Sequence, residues 1–86
     1  MTPHAKVYFR YFDIGEQDVI PCECCGSPAV DIHHIQGRGK GKDVIKNLAA
    51  LCRKHHEMCH NEKLPKDEMQ LIHNYFLQGT RKQFVK

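Results

Sequence analysis

Cysteine and histidine supply most of the chemistry available to this chain. Five Cys and seven His fall among 86 residues, and so many soft and borderline donors in a short polar chain point to metal binding before any other shared task. Cys22-x-x-Cys25-Gly26 and Cys52-x-x-His55 form two close pairs, together the four ligands that tetrahedral Zn²⁺ takes. Either pair alone is a weak signal. Two pairs bracketing one predicted hairpin are a strong one, because the metal would tie the hairpin base to the start of the next helix. Cys24 competes for a place in the first pair, but a two-residue gap ending in Gly is the better knuckle geometry, which leaves Cys24 a bystander. Cys59, one helical turn beyond His55, is a reserve ligand whose simpler reading is a small buried hydrophobe. Disulfides fit poorly, since the number of Cys is odd, two are adjacent and no signal-peptide pattern precedes them.

With His55 assigned to zinc and His4 and His73 set aside, His33, His34, His56 and His60 remain, and three of the four can make a second metal site. His56 and His60 are spaced to stack on one helix face and share a cation. His33 and His34 are adjacent on a predicted strand, so their side chains diverge to opposite faces. One can bind metal while the other acts as a base. Isolated His residues on helices are usually solvated, but here two pairs and a Gly/basic loop fall together inside the span framed by the zinc pattern.

The elements that must hold these residues are legible in outline. Thr2-Pro3 opens a predicted helix over His4 to Phe12, with Thr as N-cap, although the alternation of Val7, Phe9 and Tyr11 also suits a strand. Ala29 to Ile35 is rich in β-branched residues and reads as a strand carrying Asp31, His33 and His34. Gln36 to Asp43 is a loop in which Gly37, Gly39 and Gly41 alternate with basic residues. Leu48 to Leu51 is the return strand and Arg53 to His60 one short helix. After a break at Asn61 to Leu64, a packing helix of about 65–78 begins with Pro65 as its first helical residue, buries Met69, Ile72, His73 and Phe76 on one face and ends at Gly79. The organisation is a single domain over 1–86, with a motif core at 22–61 and a basic tail at 80–86.

Only seven residues are aromatic and the mean hydropathy is −0.58, so the core must be thin and a metal staple is expected. The net charge of +3 is modest, but it is segregated. Asp13, Glu16, Asp18, Glu23 and Asp31 lie in a stretch with no Lys or Arg, whereas Arg38, Lys40, Lys42, Lys46, Arg53 and Lys54 surround a lone Asp43. A polyanion would meet that second stretch. The apolar run Val7 to Ile14 is too short and too often interrupted to span a bilayer, so no membrane role and a cytoplasmic location are expected.

Asp31-Ile32-His33-His34-Ile35, then Asn47-Leu48-x-x-Leu51-Cys52-x-x-His55-His56-x-x-x-His60, resembles the HNH endonuclease family over residues 22–61, in its zinc-containing subclass of bacterial and bacteriophage stand-alone nucleases. The resemblance implies an α+β chain with a small ββα-metal fold, a structural zinc knuckle and flanking helices. It implies DNA as substrate and products with 5′-phosphate and 3′-hydroxyl ends. His34 matches the general base, His33, His56 and His60 match the ligands of one catalytic divalent metal (Mg²⁺, Mn²⁺, Ni²⁺ or Zn²⁺), and Asn47 matches the residue that braces the loop and helps orient the base. One departure is that Cys52-x-x-His55 stands where Cys-x-x-Cys is usual. Arg38, Lys40, Lys42, Arg53 and Lys54 would hold the DNA backbone without reading bases. By family analogy, so small a nuclease is expected to work with a partner, such as a phage packaging terminase, or as a dimer in a bacterial host. The rival functions are a zinc-stabilised nucleic-acid adaptor that does not cut and a purely structural zinc ribbon; the latter leaves four His unexplained.

Overall fold

Thr2 caps the first helix as its sequence suggests: its hydroxyl accepts a hydrogen bond from the Ala5 N–H at 3.3 Å, and α1 runs from Pro3 to Phe12. The helix wins over the strand alternative here because it brings Val7, Tyr8, Phe9 and Phe12 into one apolar cluster. The computed structural model describes residues 2–15 and 17–79; the basic tail read at 80–86 lies outside the described residues. Two strands follow, β1 (Asp31–His34) and β2 (Leu48–Leu51). They pair antiparallel, with Asp31 opposite Leu51, Ile32 opposite Ala50, His33 opposite Ala49 and His34 opposite Leu48. The strand is shorter than the Ala29 to Ile35 stretch: the Ala29 amide bonds to Ile20, away from β2, and the amides of Val30 and Ile35 bond to Leu51 and Asn47 at the two margins of the ladder. Helices α2 (Arg53–His60) and α3 (Lys66–Leu77) complete an α+β chain built on a ββα unit. Pro65 stands one residue before α3, as its N-cap in extended backbone, not at its first helical position as the sequence suggested. Gly79, at φ +79, closes α3 in the left-handed region open to glycine.

The sequence Leu-Ala-Ala-Leu makes β2 a centre with two buried faces. All four of its residues are fully buried, and successive side chains of a strand alternate in direction. Leu48 and Ala50 join Tyr8 of α1 in one cluster, whereas Ala49 and Leu51 join Cys22, Cys24, Ile35, Leu64, Met69 and Ile72 in the other. The Cys knuckle lies along β2 away from β1: the Glu23 N–H donates to Ala50 O at 2.9 Å, and the Ala50 N–H returns a bond to the Glu23 carboxylate at 3.2 Å. Helix α2 has only eight residues and no side-chain N-cap bond. A helix that short is marginal on its own and depends on tertiary contacts.

Between the two clusters sits a polar hub that the sequence did not announce. Glu23 and His73 are both fully buried. The Tyr8 hydroxyl donates to one carboxylate oxygen of Glu23 at 2.6 Å, and His73 Nδ1 meets the other at 2.6 Å. His73 Nε2 lies 2.6 Å from Ile45 O, and since a carbonyl only accepts, that nitrogen carries a hydrogen. One carboxylate thus ties α1, the knuckle, β2, α3 and the 3-10 turn at Ile45–Asn47. Burial, reinforced by the adjacent Glu23 carboxylate, pushes the Tyr8 phenol far above its ordinary pKa, so it remains a donor at any working pH. Removing one partner of a buried pair leaves the other desolvated and unmatched, at a cost of about 3–5 kcal/mol, whereas loss of a single neutral hydrogen bond costs about 1–3 kcal/mol. Glu23→Ala is therefore expected to lower the urea midpoint severely and Tyr8→Phe moderately. Equal, small shifts for the two would show that the hub does not hold the elements together.

Candidate active site

Cys22, Cys25, Cys52 and His55 converge, with one ligand atom from each inside a 4.8 Å group. Cys25 and Cys52 sulfurs are 3.8 Å apart, and His55 Nδ1 lies 3.2 Å from Cys52 Sγ and 3.8 Å from Cys22 Sγ. The Cys25–Cys52 gap is too long for a disulfide and fits the edge of a tetrahedron whose sulfurs stand about 2.3 Å from zinc and so about 3.8 Å from each other. With Nδ1 turned to the sulfurs, His55 Nε2 is buried without a hydrogen-bond partner, a cost that ligation through Nδ1 offsets. The donor set fits a structural Zn²⁺. Cys24 is fully buried, with its thiol against Met69 Sδ at 3.9 Å. It is not wholly a bystander. A hydrogen bond with Cys24 is the main influence that lowers the Cys22 thiol, and the same bond, with burial, raises Cys24. Cys59 packs against the core, and burial raises it to about 11, which matches the hydrophobe reading.

The strand pleat separates the two adjacent histidines. Asp31 and His33 lie on the β1 face shared with Ala49 and Leu51, toward α2; Ile32 and His34 lie on the face shared with Leu48 and Ala50, toward α1. His33, His56 and His60 form a second ligand group, with the His33 ring 5.1 Å from that of His56 and 5.5 Å from that of His60. His56 and His60 turn their Nε2 atoms toward each other at 3.0 Å. Asp31 Oδ2 lies 2.9 Å from His56 Nδ1; accepting the hydrogen there leaves the Nε2 lone pair free, the arrangement that orients metal-binding imidazoles. Burial first, then the neighbouring His56 and His60, push His33 down to about 4, so it is neutral and able to ligate at neutral pH. Three converging imidazoles with one carboxylate behind them fit a divalent transition cation.

His34 is 8% exposed and takes a different set of neighbours. Its Nε2 meets Asp43 Oδ1 at 2.8 Å, and the ring of His4, from α1, stands edge-on at 4.5 Å. His4 is itself lowered, mainly by burial and then by His34 and Arg38. Asn47, 5% exposed, braces the glycine loop from below: its side-chain oxygen accepts from the Gln36 N–H at 2.7 Å, and its amide donates to Gly37 O at 3.1 Å and Lys42 O at 2.9 Å. Gly37 and Gly41, at φ +90 and +77, supply the left-handed turns that bring those carbonyls to one amide. The His33 group, His34 and Arg38 open onto one cleft of about 750 Å³. Lys40, Lys42, Arg53 and Lys54 are exposed but do not line it. Lys42 instead borders a groove with Lys46, Asn47 and Gln70.

Sequence spacing missed Asp31 as the partner of His56, Asp43 as the partner of His34, and His4 beside them. Asp43 carried a faint signal, as the lone acid in a basic stretch. To separate the knuckle ligands, Cys25→Ser is expected to lose the structural zinc and much of the stability, since a structural metal contributes folding free energy directly. Cys24→Ser should retain one equivalent, read by metal analysis of the purified variants. Retention by Cys25→Ser and loss by Cys24→Ser would exchange their roles.

A sequence pattern of the HNH endonuclease family matches residues 22–65, just over half of the chain. Over 46 residues the chain is 46% identical to uncharacterized protein YdfU of Escherichia coli (strain K12). That alignment covers 49% of this chain and 13% of the relative, so the chain matches only a small part of the relative's length. No solved structure matches it. Within 22–65 lie the whole hairpin, α2 and every ligand of the two groups described above, and the chain belongs to the HNH endonuclease family.

Proposed function

We propose that this chain is a metal-dependent endonuclease that hydrolyses DNA phosphodiester bonds, with His34 as general base and one divalent metal on His33, His56 and His60. The observation that carries this reading is the division of labour in a single cleft: three imidazoles converge on one point, and the fourth turns away from them to a carboxylate. His33, His56 and His60 would hold a divalent cation, which would supply positive charge to the scissile phosphate. His34 gives its Nε2 hydrogen to Asp43 and keeps a lone pair on the other nitrogen, which accepts the proton of the attacking water. Asp43 fixes the tautomer and steadies the ring as it becomes charged. Asn47 holds the loop that carries Asp43, and so acts on the base at one remove. Arg38, at the cleft, and Lys40, on the exposed loop, neutralise backbone phosphates, with Lys42, Arg53 and Lys54 as more distant contacts.

His34→Ala is expected to leave the fold and metal binding by His33, His56 and His60 intact while lowering plasmid cleavage by roughly 10²–10⁴-fold. His56→Ala and His60→Ala should lose metal and cleavage together, and Asp31→Asn should weaken metal affinity by about 10–100-fold. Normal cleavage by His34→Ala alongside a dead His33→Ala would exchange the two strand histidines. Failure of the parent to cut any DNA with Mg²⁺, Mn²⁺, Ni²⁺ or Zn²⁺ would leave the non-cutting adaptor as the function.

Replacing Arg38 and Lys40 together should weaken DNA binding for all sequences and reduce its salt slope by about one to two counterions. An unchanged slope would put the DNA backbone on another surface.

A further inference from the structure

His4, His34 and Asp43 make a group that neither metal centre above uses. One ligand atom from each falls within a 4.8 Å group; His34 Nε2 and Asp43 Oδ1 are already 2.8 Å apart, and the His4 ring stands 4.5 Å from that of His34. Ligand atoms on one Zn²⁺ at about 2.0–2.1 Å lie about 3.3 Å from one another, so small side-chain rotations close the group. Two imidazoles and a carboxylate form a common three-ligand set for zinc, with the fourth position left to solvent. His4 comes from α1, outside the residues matched to the family. It reaches the cleft only because Tyr8, one helical turn along, is held by Glu23 and the α1 cluster.

We propose that His4, His34 and Asp43 form a third metal site, selective for Zn²⁺ or a similar borderline transition cation, whose filling takes His34 out of service. Its inhibitory consequence rests on the reading of His34 as the general base. A neutral imidazole has one N–H and one free lone pair. When the cation takes that lone pair, the hydrogen sits on the other nitrogen, and nothing is left on the ring to accept a proton from water. No proton is gained or lost in the exchange. If Nε2 is the ligating atom, its hydrogen passes to Nδ1 and Asp43 turns from accepting a hydrogen bond to holding the metal. Arg38 lines the same cleft, and its charge opposes a further cation there, so this site fills after the other two.

Zinc titrated by calorimetry into the full chain, counted together with the zinc it holds as purified, should reach three equivalents in total, the last and weakest of which disappears in His4→Ala and in Asp43→Asn while the first two remain. Loss of an outer partner alone costs about 10–100-fold in metal affinity, so loss of a direct ligand should raise the half-inhibitory zinc concentration by at least about tenfold. That value is read from plasmid cleavage supported by Ni²⁺ or Mn²⁺, with His4→Ala and the parent each compared with its own rate before zinc is added. A total that stops at two equivalents, or a third that survives both substitutions, overturns the site. Equal zinc sensitivity of His4→Ala and the parent overturns the capture of His34, since zinc would then act by replacing the metal on His33, His56 and His60. A parent that cuts nothing ends the nuclease reading and the inhibition with it, while the count of equivalents still decides whether the third site exists.

Discussion

A slip of one residue between β1 and β2 would turn His33 toward α1 and His34 toward α2, because a strand sends successive side chains to opposite faces. The observed register pairs His33 with Ala49 and His34 with Leu48, and the rest of the site follows from it. His33 meets the two helix histidines and His34 meets Asp43. The register is held firmly because β2 is buried on both faces. A slip would also drive its Leu and Ala side chains into the wrong clusters, leaving cavities on one side and overpacking on the other.

The chain is too small and too polar for apolar burial alone to provide that firmness. Two non-hydrophobic devices supplement it beside β2. The Cys/His group joins the knuckle before β1 to the first turn of α2, which otherwise has neither length nor a cap to stabilise it. The Glu23 hub joins α1 and α3 to the same knuckle. Glu23 lies between Cys22 and Cys24, so the geometry of the Cys/His group and the packing of both flanking helices are mechanically linked through three consecutive residues.

Around the cleft, carboxylates stand behind imidazoles. Asp31 backs His56 and Asp43 backs His34, each with a contact under 3 Å. A carboxylate in that position fixes which nitrogen carries the hydrogen and therefore where the lone pair points. The same acids offset part of the positive charge that a metal and the basic loop would concentrate there. The glycine loop is ordered by a side-chain amide at its base, so a segment poor in regular structure still presents Asp43 and Arg38 at definite positions.

The short-range features were legible in the sequence. The two ligand pairs, the strand at Leu48 to Leu51 and the helix at Arg53 to His60 each depend on spacing, periodicity or the local backbone preferences of Gly and Pro, which act within a few residues. The divergence of His33 and His34 was legible for the same reason. The tertiary structure decided what depends on distant segments meeting. It made Asp31 and Asp43 partners of particular histidines, joined Glu23 to a histidine fifty residues away, and brought His4 beside His34. No local pattern encodes such contacts, because an isolated acid or histidine has the same preferences on a solvated surface as in a site. Only the packing of the helices around the hairpin brings such groups together, burying Glu23 and His73 fully and leaving Asp31 and Asp43 part-exposed beside their histidines.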